Sequence, residues 1–185
     1  MIYVIMGVSG CGKSSLGAYL SEKLGWRLYE GDDFHPQENI DKMTRGVRLT
    51  DEDRLPWLLK LHDVIERERS CGSDALVTCS ALKRLYRNIL TSGSTAVTSS
   101  STPPEPSPLD VFFLFLHGDY QLIHQRISAR SGHYMRADLL SSQFEALEPP
   151  QEEENVMRLD IRRSLSDMAM EVESHLRSVR DHGRV

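Results

Sequence analysis

Cysteine is scarce in this chain of 185 residues, with Cys11, Cys71 and Cys79 the only three. The count is odd, and no CxxC or Cys/His spacing is present. A disulfide framework and a zinc site are both excluded on that pattern, and free thiols in a reducing cytoplasm are expected. Long apolar runs are missing too. None approaches the roughly 20 residues that cross a bilayer, so no membrane partner is expected. The apolar start over residues 1–6 is too short for a signal peptide and lacks a basic flank, so it reads as a buried strand. There is no long Lys/Arg run, and the formal net charge is −5. Binding to a phosphate backbone needs a concentrated basic face, so nucleic acid is not an expected partner. No internal repeat is found.

Hydrophobic residues make up 39% of the chain, enough for one core in a single domain over residues 1–185. Short apolar runs rich in β-formers predict strands at Ile2–Met6, Ala75–Cys79, Val111–Leu116 and Val156–Asp160, with a weaker one at Arg27–Glu30. Helical spacing predicts helices at Lys13–Leu24, Trp57–Ile65, Lys83–Leu90, Asp119–Arg130, Ala137–Leu147 and Leu165–Val179. Strands alternating with helices imply an α/β fold, a doubly wound parallel five-stranded sheet flanked by helices. Residues 91–109 are rich in Ser, Thr and Pro and predict a flexible surface loop.

The strongest motif is Gly7-Val8-Ser9-Gly10-Cys11-Gly12-Lys13-Ser14. It fits G-x-x-x-x-G-K-[ST] between a strand and a helix, the P-loop NTPase arrangement. Its glycines let backbone N–H groups turn inward around phosphates, and the helix start adds its positive dipole end. Lys13 is placed to reach the β- and γ-phosphates of ATP, and Ser14 to ligate Mg²⁺. The base-reading N-K-x-D of GTPases is absent from the chain, which leaves a small kinase as the favoured class.

Acceptor chemistry is expected beyond the carboxyl ends of the other strands. Glu30-Gly31-Asp32-Asp33-Phe34-His35-Pro36 follows the second strand and offers carboxylates that can orient a hydroxyl and take its proton. An Asx-turn is the structural alternative for any one of them. In Thr50-Asp51-Glu52-Asp53-Arg54-Leu55-Pro56-Trp57, Asp51 or Asp53 can cap a helix with Pro56 in its first turn. Arg54 opposes the helix dipole there, and a carboxylate-bearing ligand would explain it. Cys79-Ser80-Ala81-Leu82-Lys83-Arg84-Leu85-Tyr86-Arg87 ends the third strand. Ser80 is small enough for close approach by a ligand. Lys83 and Arg87 are four apart and either hold an anionic substrate or form a solvated basic face. Finally, Arg126 and Arg130 precede Gly132 and read as a helix running into a mobile lid at about 130–137. Arg130 is the candidate for the γ-phosphate and Arg126 for stacking on adenine.

MGVSGCGKSS, GDDFHPQENIDKM, LTDEDRLPW, CSALKRLYR, RISARSGHYM and SSQFEALEPP occur in this order over nearly the whole chain. Together they resemble the gluconokinase family, small P-loop kinases related to shikimate kinase. The resemblance implies ATP:D-gluconate 6-phosphotransfer, Mg²⁺ dependence and a homodimer. It implies that Lys13, Asp32 and Arg130 are catalytic, with Asp32 the acid that orients the acceptor. It places Ser15 with the phosphate loop as nucleotide-binding. It places His35, Arg54, Ser80, Lys83, Arg87 and His133 with the substrate.

Three features depart from the family pattern. Glu30 stands where relatives usually have Asp, Cys11 replaces the more usual Ser, and the Ser/Thr/Pro tract is longer. Cys11 admits two readings. The helix dipole and the Lys13 ammonium favour a reactive thiolate, or the side chain is a buried, inert filler. Two other functions compete with gluconate phosphorylation. One is a kinase for another polyhydroxy acid such as shikimate. The other is a nucleotide-binding regulator without turnover.

Overall fold

The computed structural model describes residues 1–98, 108, 110–129 and 137–182. Five parallel strands form one sheet: β1 Ile2–Met6, β2 Arg27–Glu30, β3 Ala75–Thr78, β4 Val111–His117 and β5 Val156–Asp160. Their order is β2-β3-β1-β4-β5. In the central strand, Ile2 pairs with both Ala75 and Val111 and sets the register on its two sides. All five positions of β1 are buried. Its side chains alternate between faces with the two-residue period of a strand. Ile2, Val4 and Met6 enter one core, Tyr3 and Ile5 the other.

The helices are α1 Lys13–Leu24, α2 Gln37–Thr44, α3 Asp51–Ser70, α4 Arg84–Ser92, α5 Thr95–Thr98, α6 Tyr120–Ala129, α7 Ala137–Ala146 and α8 Leu165–His182. The first core takes Trp57, Leu58, Leu61 and Ile65 of α3 and Tyr86, Ile89 and Leu90 of α4. The second takes Leu16 and Leu20 of α1, Ile123 of α6, Leu140 of α7 and Met168 and Val172 of α8. The sheet is therefore covered on both faces, as the alternation of elements predicts.

Two local expectations change. Thr50, not Asp51 or Asp53, caps α3: its side chain accepts from the Asp53 N–H while Asp53 returns a bond from the Thr50 N–H. The helix starts six residues earlier than the apolar spacing suggests, because this capping box supplies an N-terminus where periodicity is silent. Pro56 consequently sits inside the helix rather than in its first turn. The Ser/Thr/Pro tract is also not all loop. Thr91 and Ser92 close α4, and Thr95–Thr98 forms α5, with Ala96 packed on the first core. Residues 99–107 and 109 lie outside the described residues, as do Arg130 and His133.

Candidate functional site

The motif at residues 7–14 forms the turn between β1 and α1. Gly12 caps α1 with φ +102°, a left-handed backbone that suits glycine. The Lys13 ammonium donates to the Gly7 and Val8 carbonyls, at 3.0 and 3.1 Å. These bonds curl the side chain back over the loop it serves. Ser14 Oγ donates to Glu30 Oε2 at 3.0 Å, and Thr78 Oγ1 donates to the same oxygen at 2.5 Å. Glu30 thus couples the loop of β1 to the ends of β2 and β3.

The turn after β2 is anchored by close backbone approach. A Cβ on Gly31 would lie 2.0 Å from the Thr78 carbonyl oxygen, so no larger residue fits. The Gly31 N–H donates to Thr78 Oγ1 at 3.1 Å, and Trp57 Nε1 donates to the Gly31 carbonyl at 2.7 Å. His35 stacks on Trp57 with ring centroids 4.2 Å apart, and its side chain is only 4% exposed. Burial lowers the His35 pKa from the ordinary value, with the Asp32 carboxylate partly offsetting it. Between these anchors the Asp32 side chain is 97% exposed, with its carboxylate 4.0 Å from His35 Nε2. A rigid turn therefore presents a free carboxylate.

Asp32, His35, Arg54, Ser80 and Lys83 share one cleft of about 820 Å³ with Ser9 and Lys13 of the phosphate loop. Lys83 donates to both Asp51 oxygens, at 3.0 and 3.3 Å. The Tyr86 hydroxyl also donates to Asp51. Those two bonds, Tyr86 first, hold the Asp51 carboxyl below its usual range. Arg54 lies over the Tyr86 ring, 5.6 Å from its centroid. Arg54, Lys83 and the Tyr86 hydroxyl thereby share one cleft with Asp32, a set of donors suited to a hydroxylated carboxylate. Ile40, Met43, Val47 and Leu139 add apolar wall.

Arg87 is not among the groups facing the cleft. It is 1% exposed and forms a bidentate pair with Glu154, at 2.5 and 3.3 Å. Its Nη1 also donates to the Ala81 and Leu82 carbonyls, at 2.9 and 3.2 Å. Lys83 precedes α4 as its cap, so the shared helical face expected for Lys83 and Arg87 does not form. Arg126, expected beside adenine rather than in this cleft, donates from Nη2 to the Ile161 carbonyl at 2.7 Å and ties α6 to the turn after β5. Cys11 is 2% exposed. Burial outweighs the nearby Lys13 ammonium and raises its thiol pKa, opposite to the reactive reading. Ser15 is exposed on α1.

Four site groups had no role assigned from sequence. Tyr86 sits inside the CSALKRLYR stretch, between the two cations that drew attention. Thr78 and Trp57 read only as core. Gln143, in SSQFEALEPP, reaches the phosphate loop: its Oε1 accepts from the Ser9 N–H at 2.7 Å, and its Nε2 donates to Ser9 Oγ at 3.0 Å.

No protein-family model matches the chain. A probable gluconokinase of Xenopus tropicalis is 42% identical over 177 residues, spanning 95% of this chain and 93% of that protein. The thermosensitive gluconokinase of Escherichia coli K12 is 39% identical over 181 residues, spanning 97% and 89%. The crystal structure of a gluconokinase from Sinorhizobium meliloti superposes with a TM-score of 0.77 at 37% identity, covering 97% of this chain and 93% of that one.

Proposed function

Because this chain belongs to the gluconokinase family, we infer that it transfers the γ-phosphate of ATP to D-gluconate, yielding 6-phospho-D-gluconate and ADP. The observation that carries the reading is the single cleft in which Lys13 of the phosphate loop meets Asp32, Arg54 and Lys83. Arg54 and Lys83 supply charge for the substrate carboxylate, which leaves the far end of the sugar acid near Asp32. Asp32 orients the terminal hydroxyl and takes its proton as the new P–O bond forms. Lys13 exchanges its two carbonyl partners for phosphate oxygens and stabilises charge on the transferred group. Burial favours the neutral form of His35, and its stack on Trp57 steadies the turn that holds Asp32. Arg87 acts behind the site rather than on the substrate. Arg130 and His133 keep the roles that the family resemblance gives them.

Mg²⁺ fits the residues present. Ser14 Oγ and the Glu30 carboxylate are hard oxygen donors beside the phosphate loop. Among the described residues no group of three or more His, Cys, Asp or Glu side chains converges on a point. Mg²⁺ is ordinarily held by one or two protein oxygens with phosphate oxygens and water. Ser14 would hold it directly and Glu30 through that hydroxyl or a water. When bound, the ion neutralises charge on the β- and γ-phosphates.

A cytoplasmic homodimer completes the proposal, on the family resemblance and the cysteine pattern. Light scattering coupled to size exclusion tests the dimer. Among the described residues no helix is long and apolar enough to cross a membrane.

The test of function is coupled ADP release over a panel of gluconate, other sugar acids, shikimate and glucose. Gluconate should give the highest kcat/KM, and neutral glucose should be poor because it offers Arg54 and Lys83 no carboxylate. Arg54→Ala and Lys83→Ala should selectively raise the KM for gluconate. Equal turnover of glucose and gluconate would remove both cations from substrate binding. Tight ATP binding with no turnover of any panel member would overturn the enzymatic reading.

A further inference from the structure

Gln143 is left without work by the assignments above, yet it bonds the phosphate loop from outside it. It projects from α7 into the cleft. Its carboxamide makes two bonds to one residue, with Oε1 on the Ser9 N–H and Nε2 on Ser9 Oγ. A backbone N–H of this motif has a defined partner in the loaded state, a phosphate oxygen. Here an amide oxygen holds that position at 2.7 Å.

Ser9 also has a particular place within the loop. Of residues 7–14, only Ser9 and Lys13 line the cleft that contains Asp32 and Arg54. Ser9 therefore borders the acceptor side of the loop, where the reading above places the transferred phosphoryl group. One N–H cannot bond a phosphate oxygen and the Gln143 amide at full strength together.

We propose that Gln143 is a placeholder for the γ-phosphate, and that it sets how strongly the donor site distinguishes ATP from ADP. ATP displaces the amide from Ser9. ADP lacks the competing oxygens and binds with the Gln143–Ser9 bond intact. After transfer the amide returns to Ser9 and the loop is satisfied again. The displacement also frees one tie between the loop and α7, whose Leu139, Ser142 and Ala146 line the same cleft. The proposal rests on the ATP-dependent reading above, but its test needs no acceptor.

Isothermal titration of the full chain with Mg·ADP, and separately with a non-hydrolysable Mg·ATP analogue, makes the comparison. Gln143→Ala removes one competing hydrogen bond, so it should tighten the analogue about three- to tenfold and leave ADP unchanged. Gln143→Glu puts a carboxylate against the γ-phosphate and should weaken the analogue by about tenfold or more relative to ADP. If Gln143→Ala is poorly folded, Gln143→Asn, too short to reach Ser9, should reproduce its pattern. A merely structural contact would shift both ligands together. Equal shifts, no shift, or a selective loss of analogue binding in Gln143→Ala would each overturn the proposal. Failure of the gluconate reading shows differently, as wild-type protein that binds both nucleotides and phosphorylates no sugar acid.

Discussion

Arg87 and Glu154 are 67 positions apart in the chain, and they form a buried bidentate ion pair beneath the strand-end loop that carries Ser80 and Lys83. The same guanidinium binds the carbonyls of Ala81 and Leu82. Ala81 has a φ of +46°, unusual for a residue with a side chain. Arg87 therefore holds the loop in a conformation that it does not prefer. Glu148 adds a second brace, donating its N–H to the Leu82 carbonyl at 2.8 Å and accepting from the Arg84 N–H at 2.8 Å.

Breaking that pair from one side strands a buried charge. Arg87→Ala or Glu154→Ala should destabilise the fold by about 3–5 kcal/mol, whereas Arg87→Met with Glu154→Leu should lose much less. Urea denaturation provides the measurement. The double variant should also show a raised KM for gluconate with the KM for ATP unchanged, because Lys83 loses its support while the phosphate loop does not. An additive double variant would mean the two residues act independently.

Cys11 should be inert toward thiol reagents. Its side chain is buried, and so is that of Cys79, whose pKa burial pushes up to about 12. Cys71 is exposed. Brief iodoacetamide treatment should label Cys71 alone and leave activity intact, as read by peptide mass mapping and ADP release. Inactivation that Mg·ATP prevents and that Cys11→Ser abolishes would restore the reactive thiolate.

Glu30 should tune the Mg²⁺ requirement. It accepts from both Ser14 and Thr78 through one oxygen. Glu30→Ala leaves the Ser14 hydroxyl without its orienting partner. Residues behind a metal ligand typically affect metal affinity by about 10–100-fold. The free Mg²⁺ giving half-maximal kcat at saturating ATP should rise on that scale, and Glu30→Asp should fall between. An unchanged Mg²⁺ profile would confine Glu30 to bracing the strands.

His35 predicts a pH dependence of stability. Its folded pKa is depressed by burial, below an unfolded value of about 6.5. Between those two values the unfolded chain binds more protons than the fold does. The His35 contribution is therefore complete above pH 6.5 or so and is lost as pH falls toward the folded pKa. His175 is depressed in the same direction, so the wild type alone does not isolate His35. The difference in Tm between wild type and His35→Gln, followed across pH 5 to 8, should shrink as pH falls. A constant difference would mean that His35 does not titrate in this range.

The fold and the donor half of the site were legible because both are local. The P-loop is a contiguous motif in a strand–turn–helix setting, and buried parallel strands announce themselves as short apolar runs. The acceptor half was legible only as a set of segments. Spacing places Arg87 one turn from Lys83, but nothing in the sequence tells that Glu154 waits for it. A charge four residues from a ligand-binding charge looks the same whether it faces solvent, substrate or a distant carboxylate. Gln143 was hidden for a related reason, since a polar residue on a half-buried helix carries no mark of the loop it touches. Cys11 shows competing fields: dipole and ammonium can be read from neighbours, but burial depends on the whole fold.

The strand order separates the two halves of the chemistry in space. The phosphate loop grows from β1 at the centre of the sheet, while Asp32 and the Ser80–Lys83 loop follow β2 and β3, which complete one flank with β2 at the rim. On the proposed reading, the acceptor is chosen on one flank of a scaffold whose phosphate loop sits at its middle. Of β2 and β3, only β2 has a sheet neighbour on one side alone, whereas the loop after β3 is tied to the phosphate loop by the Gly7 N–H bond to the Ser80 carbonyl. Diversification of this architecture toward new small-molecule acceptors should accordingly collect first in the segment after β2 and spare the turn after β1.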